Sequence, residues 1–164
     1  MLPVLGSCGY HVSSHVDALP KNIRTIAIPA FENLTSRYPL SERLPGELTR
    51  EFISRTRYRV VADPNDADAV LRGTVTNYLA SPTASDDSTG ITRASAVQIS
   101  VFLQLTLTER QTGKVLFTRP SMEVRQRYEI SRDQGPYLDE SDVAPRRVSK
   151  EVAKTIVSAI LEAF

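Results

Sequence analysis

Three side chains among the first fifteen residues could do chemistry: Cys8, His11 and His15. Cys8 is the single cysteine of the chain, which excludes an internal disulfide and any zinc site built from several thiolates. His11 and His15 are the only histidines. Their i, i+4 spacing would set both on one side of a helix, but no apolar helix surrounds them and no glutamate follows in a metal-site pattern. A solvated segment is the better reading, and no metal is expected. Covalent or acid–base catalysis needs an activated Ser, Cys or His, or two carboxylates in one cleft. The chain has no Gly-x-Ser-x-Gly motif and no glycine loop to cradle a phosphate. Its paired acids, Asp86-Asp87 and Asp139-Glu140, read as loop acids without catalytic context. The expectation is no enzyme and no cofactor.

The thiol has another use. Leu5-Gly6-Ser7-Cys8 is an aliphatic residue, two small residues and a cysteine. That pattern resembles the lipobox of bacterial lipoproteins, where small residues admit a signal peptidase and the thiol takes a diacylglycerol. Each buried methylene would add about 0.8 kcal/mol of membrane affinity, so three acyl chains would hold the protein on a bilayer. A full signal peptide has a basic stretch and a longer apolar run. The residues before Cys8 supply neither, so residues 1–8 are expected to be a remnant of a longer leader. Residues 9–20 read as a flexible tether, because Gly9, Ser13, Ser14, Asp17 and Pro20 break any periodicity. Residues 21–164 then form one domain.

The elements of that domain follow from hydrophobic spacing. With 164 residues, 41% hydrophobic and 24% charged, the chain is long enough for one ordinary core. A net charge of +1 gives no field to attract nucleic acid. Residues 23–31 read as a strand, with Ile26 and Ile28 on one side and Ala27 and Phe31 on the other. Pro29 marks an edge or a strand end. Glu32 to Tyr38 reads as a loop; its Asn33-Leu34-Thr35 sequon is taken as chance. Leu40, Leu44, Leu48 and Phe52, with Ile53 beside them, predict a helix over 40–56. Ser41 is its candidate cap and Pro45 an awkward passenger. Tyr58 to Val61 is a short strand. Over 69–79, Leu71, Gly73, Val75 and Leu79 share a face opposite Arg72, Thr74, Thr76 and Tyr78. After a loop over 81–93, the run from Val97 to Thr108 alternates without a break. It predicts a half-buried strand of about 40 Å. Residues 110–114 form a hairpin turn with Gly113 at positive φ.

The returning strand carries Met122, Val124, Tyr128 and Ile130 on one side and Glu123, Arg125, Arg127 and Glu129 on the other, with Pro120 marking a bulge or break. Val148, Val152, Ile156, Ile160 and Phe164 predict a final helix. The fold class is therefore α+β: a single, mostly antiparallel β-sheet of about four principal strands with two α-helices packed on one face.

Several segments, in this order, resemble the LptE family of lipopolysaccharide-assembly lipoproteins. They are Cys8-Gly9-Tyr10-His11, the stretch from Ile23 to Asn33, and Glu51-Phe52-Ile53-Ser54-Arg55 running into Tyr58-Arg59-Val60-Val61. Ala67-Asp68-Ala69-Val70-Leu71-Arg72-Gly73, Thr112-Gly113-Lys114-Val115-Leu116-Phe117 and Ile160-Leu161-Glu162-Ala163-Phe164 complete the set. The resemblance spans about residues 8–164. It implies a sheet with two helices on one face and a lipid anchor at Cys8 on the periplasmic side of the outer membrane. It further implies a place as a plug in the β-barrel LptD, and binding of lipopolysaccharide. The resemblance directs attention to basic residues near a sheet end that could meet lipid A phosphates: Arg93, Lys114, Arg125 and Arg127. Glu123 and Glu129 are candidate partners that would reduce the free charge of the last two. Near Met122 an apolar residue stands where the family pattern leads one to expect a base.

The uncovered sheet face, with Gln98, Ser100, Gln104, Thr106, Thr108, Arg125 and Arg127, is uncharged-polar to basic and suits the polar interior of a large barrel. It equally suits an ordinary solvated sheet. The rival reading is another outer-membrane lipoprotein, an activator or accessory subunit of a periplasmic or secretion complex, which would require a different partner.

Overall fold

In a computed structural model of the chain, the described residues are 18–36, 38–86, 93–129 and 143–164, with the backbone alone at 38, 39, 84–86, 93–95, 128 and 143–145. Cys8, His11, His15, most of the tether, Asp87, Ile130, Asp139 and Glu140 lie outside them. The elements are β1 (Thr25–Ala27), β2 (Glu32–Asn33), α1 (Tyr38–Arg55), β3 (Arg59–Val61), β4 (Ala69–Asp86), β5 (Arg93–Glu109), β6 (Val115–Glu129) and α2 (Val143–Leu161).

The sheet runs β3-β1-β4-β5-β6, with β2 beside β4. β4, β5 and β6 form the expected antiparallel meander. The three short strands pair in parallel, so six strands stand where about four were expected. The reason is connectivity: α1 carries the chain back across the sheet between β1 and β3, and a crossover returns a strand parallel to its neighbour. The segment 23–31 pairs only over 25–27. Pairing resumes at Glu32–Asn33, inside the stretch read as a loop. That change of direction also brings Phe31 into the main core beside Ile26 and Ile28, rather than onto the opposite side. Its ring covers Gly73: a Cβ there would stand 2.2 Å from the ring edge. Glycine is required at that position by contact, not by backbone angle.

Both helices bury the stripes their spacing predicted. Leu40, Leu44, Leu48 and Phe52 on α1 are buried, as are Val148, Val152, Ile156 and Ile160 on α2. Ile53 is exposed, and Phe164 lies exposed beyond the end of α2. Ser41 is no cap, because α1 begins at Tyr38 and Ser41 is buried within it. The helix continues through Pro45. Proline gives up one backbone hydrogen bond, but the buried stripe on either side holds the turn in register. Arg55 cross-links the layer, donating to the Ser158 hydroxyl (3.0 Å) and the Lys154 carbonyl (3.4 Å).

β4 does not alternate evenly. Val75 faces Leu103 while Asn77 faces Phe102, so Thr76 is an extra residue, a β-bulge. Ahead of it Leu71 and Val75 point into the core; beyond it Tyr78 packs against the core. Leu79, expected inside, is turned out and is 49% exposed.

Asp68 fastens the start of β4 to β1. Its carboxylate accepts from the N–H groups of Arg24 and Thr25 (both 2.9 Å) and from the Thr25 hydroxyl (2.8 Å). Its own N–H donates back to the Thr25 carbonyl. The Arg24 N–H holds the Asp68 carboxyl below the usual carboxylate range; burial opposes this, and the Thr25 donors and the Arg110 charge add to it. The hairpin between β5 and β6 turns on Gly113 at φ +70°, as its sequence predicted.

Candidate functional site

The helices cover one face of the meander and leave the other open. Strand register sets three rows across that open face: Ser81–Gln98–Arg127, Leu79–Ser100–Arg125 and Asn77–Phe102–Glu123. Directly opposed residues of antiparallel strands share a face, and Val124, between Glu123 and Arg125, is buried on the other side. The alternation of β6 thus puts Glu123, Arg125 and Arg127 side by side.

These three groups are not equivalent. Arg125 grips Glu123 through two hydrogen bonds, Nε to Oε1 at 2.7 Å and a terminal nitrogen to Oε2 at 2.8 Å. The pair is solvent-facing, with the Arg125 side chain 65% exposed. Hydrogen bonding to Arg125 holds the Glu123 carboxyl below its usual range against a desolvation that raises it, with a contribution from Ser100, and it raises Arg125 in turn. The charge of Arg125 is therefore largely answered, as the nearness of Glu123 in sequence suggested. Arg127 is exposed and forms no ion pair among the described residues. A guanidinium in that state can offer a phosphate two parallel N–H donors.

The other two basic residues lie elsewhere. Lys114 sits in the hairpin beside Val115, which is paired with Thr108, whereas Arg127 pairs with Gln98. Ten residues of β5 separate those rows, about 33 Å. Lys114 cannot share an anion with Arg127. Arg93 pairs through its backbone with Asp86. It lies five residues beyond the Gln98 row, about 16 Å, at the same end as Arg127. The four candidates thus divide into Arg93, Arg125 and Arg127 in one half and Lys114 at the opposite end.

The open face is also less polar than its alternation implied. Leu79 reaches it through the bulge, and half-buried Phe102 is its diagonal neighbour, so an apolar strip borders Arg125. No glycine or proline announces that bulge; Phe102 was legible, Leu79 was not. On the helix side of β6, Arg119 lies over the Phe117 ring, 5.1 Å from its centre, a cation–π contact that the sequence reading did not anticipate.

Comparison with known proteins places this geometry in context. The model of a family described as LptE, lipopolysaccharide-assembly, matches residues 23–160. No curated protein matches the chain. Among solved structures, the fold is similar to protein XCC0632 from Xanthomonas campestris, at 14% identity, 90% coverage of each chain and a TM-score of 0.54. A minor lipoprotein from Acinetobacter baumannii matches at 17% identity over 87% of this chain and 94% of that one, with a TM-score of 0.46. Lipoprotein GNA1162 from Neisseria meningitidis matches at 16% identity over 84% and 95%, also at 0.46. At these identities the first likeness speaks for the fold alone.

Proposed function

The chain belongs to the LptE lipopolysaccharide-assembly family, and from that premise we propose that it is a non-catalytic outer-membrane lipoprotein that plugs and supports an LptD-type β-barrel and binds lipopolysaccharide in transit. The supporting observation is the family match over residues 23–160, together with an open sheet face that is polar apart from Leu79 and Phe102, as the polar interior of such a barrel admits. In this reading Cys8 carries the lipid anchor on the periplasmic side of the outer membrane. Among the described residues no helix is long and apolar enough to cross a membrane.

Arg127 is the leading lipopolysaccharide contact, because its guanidinium is exposed and unpaired among the described residues. Arg125 joins it when Glu123 lets go, and Arg93 extends the basic run along the same half of the sheet. Leu79 and Phe102 lie beside these cations, where an amphipathic ligand presents acyl chains next to its phosphates.

The test is co-purification. The chain, preceded by a functional leader and tagged at its C-terminus, is isolated from detergent-solubilised outer membranes. A stoichiometric large β-barrel in the eluate is the expected result. Acylated protein in the outer membrane that brings no barrel overturns the reading and leaves an accessory subunit of another envelope complex. Arg127→Ala is expected to weaken lipopolysaccharide retention while barrel recovery is unchanged.

A further inference from the structure

The end of the sheet where the chain enters the domain carries its own row of cations. Leu19 is buried, and its N–H donates to the Tyr58 hydroxyl at 2.7 Å. From there the backbone links the row residue by residue. The Arg59 N–H donates to the Arg24 carbonyl, the Arg110 N–H to the Asp68 carbonyl and the Glu109 N–H to the Lys114 carbonyl. Asp68 in turn accepts from the Arg24 N–H. Lys21 lies in the turn ahead of β1. Lys21, Arg24, Arg59, Arg110 and Lys114 are all exposed, and Arg57 adds a sixth exposed cation.

Two of the carboxylates flanking this row take their hydrogen bonds from neutral donors, although the Arg110 charge also acts on Asp68. Asp68 faces the β1 amides and the Thr25 hydroxyl; Glu109 is bonded to the Asn22 amide and the Thr112 hydroxyl. Asp63 and Asp66, on the 3₁₀ turn at Pro64–Asp66, offset part of the charge. The six exposed cations outnumber these carboxylates, of which Asp63 and Asp66 are exposed as well.

We infer that this end of the sheet is a docking surface for an anionic phospholipid bilayer. The inference rests on the acylation of Cys8 proposed above. Ten residues, and so eleven residue-to-residue steps, separate Cys8 from Leu19, which limits the leash to about 40 Å when fully extended. The chain enters the domain at this end, while the Arg127 row lies about 30 Å further along the strands, so a bilayer held by the anchor is nearest this end unless the leash is drawn out almost fully. Attraction between exposed cations and anionic headgroups fades within a Debye length of about 8 Å, so only the end nearest the bilayer gains from it. The row then orients the domain, keeping the Arg125–Arg127 half away from the inner leaflet and toward the cell surface.

The test uses the full chain with Cys8→Ser, so that no acyl chain contributes, and sedimentation with vesicles of phosphatidylcholine with or without phosphatidylglycerol. Binding is expected only to the vesicles containing phosphatidylglycerol, and is expected to be lost at high salt. Lys21→Glu, Arg59→Glu and Lys114→Glu together lower it by about tenfold or more. Arg146→Glu, Arg147→Glu and Lys150→Glu on α2 change net charge equally and leave binding within about twofold. Circular dichroism verifies that both triple variants are folded. Equal loss in the α2 variant, equal binding to neutral vesicles, or binding only when lipopolysaccharide replaces phosphatidylglycerol overturns the proposal. No barrel is present, so failed sedimentation beside successful barrel co-purification sinks this inference alone.

Discussion

The two halves of the sheet are built to different standards. In the half that holds β1 and β3, β4 has a neighbour on each side, Asp68 Oδ2 accepts three hydrogen bonds and Phe31 lies against Gly73. In the other half, from Asn77 onward, β4 pairs only with β5 among the described residues, and residues 80–83 are exposed. Stability is concentrated where packing is dense; the second half is left free to present side chains. Both belong to the same strand, and the Thr76 bulge lies where one regime gives way to the other.

The largest expected effect probes the dense half. Gly73→Val drives a branched side chain into the Phe31 ring and should cost about 3 kcal/mol in denaturant unfolding. A loss near zero would mean that Phe31 is not seated on Gly73. Next comes Asp68→Ala, which strands the Arg24 and Thr25 donors and should cost about 2 kcal/mol at neutral pH. Because the Asp68 carboxyl is held below its ordinary range, its contribution is complete above the unfolded value of about 4. It is lost as pH falls through the lower folded value. The stability gap between parent and variant should therefore close in acid, and a gap that widened there would contradict the geometry. Leu79→Ser separates the two regimes: as an outward residue beyond a bulge it should cost no more than about 0.5 kcal/mol. An inward leucine would cost several times that. The smallest expected effect on stability is that of Glu123→Gln, with no measurable change in melting temperature. By releasing Arg125 it should nevertheless increase retention of lipopolysaccharide, and decreased retention would argue against the open face as the site.

The strongest periodicities were legible because one physical cause governed them. Val148, Val152, Ile156 and Ile160 recur at helical spacing and are buried; Ile99 through Leu107 alternate and are buried. Gly113 marked its own turn. What escaped depended on contacts distant in sequence. Thr76 carries no local mark of a bulge, and one added residue inverts every side chain beyond it. Phe31 changes sides because the chain bends after Pro29. Pro45 is tolerated because residues on both sides of it are buried against the sheet. At the candidate site, the Arg125–Glu123 pair could be anticipated from i, i+2 spacing on a strand. The 33 Å between Lys114 and Arg127 could not be judged until register was known.

The entry of the chain at Leu19 also determines how the domain would bear a mechanical load. A pull on the residues ahead of it reaches Leu19, tied to the Tyr58 hydroxyl, and then β1. That strand lies between β3 and β4, parallel to both. Force along its axis loads the flanking hydrogen bonds together, in shear, rather than opening them one at a time as at a peeled edge. The domain is thus hitched by an interior strand, so drag on the body is shared between the bonds on both its flanks.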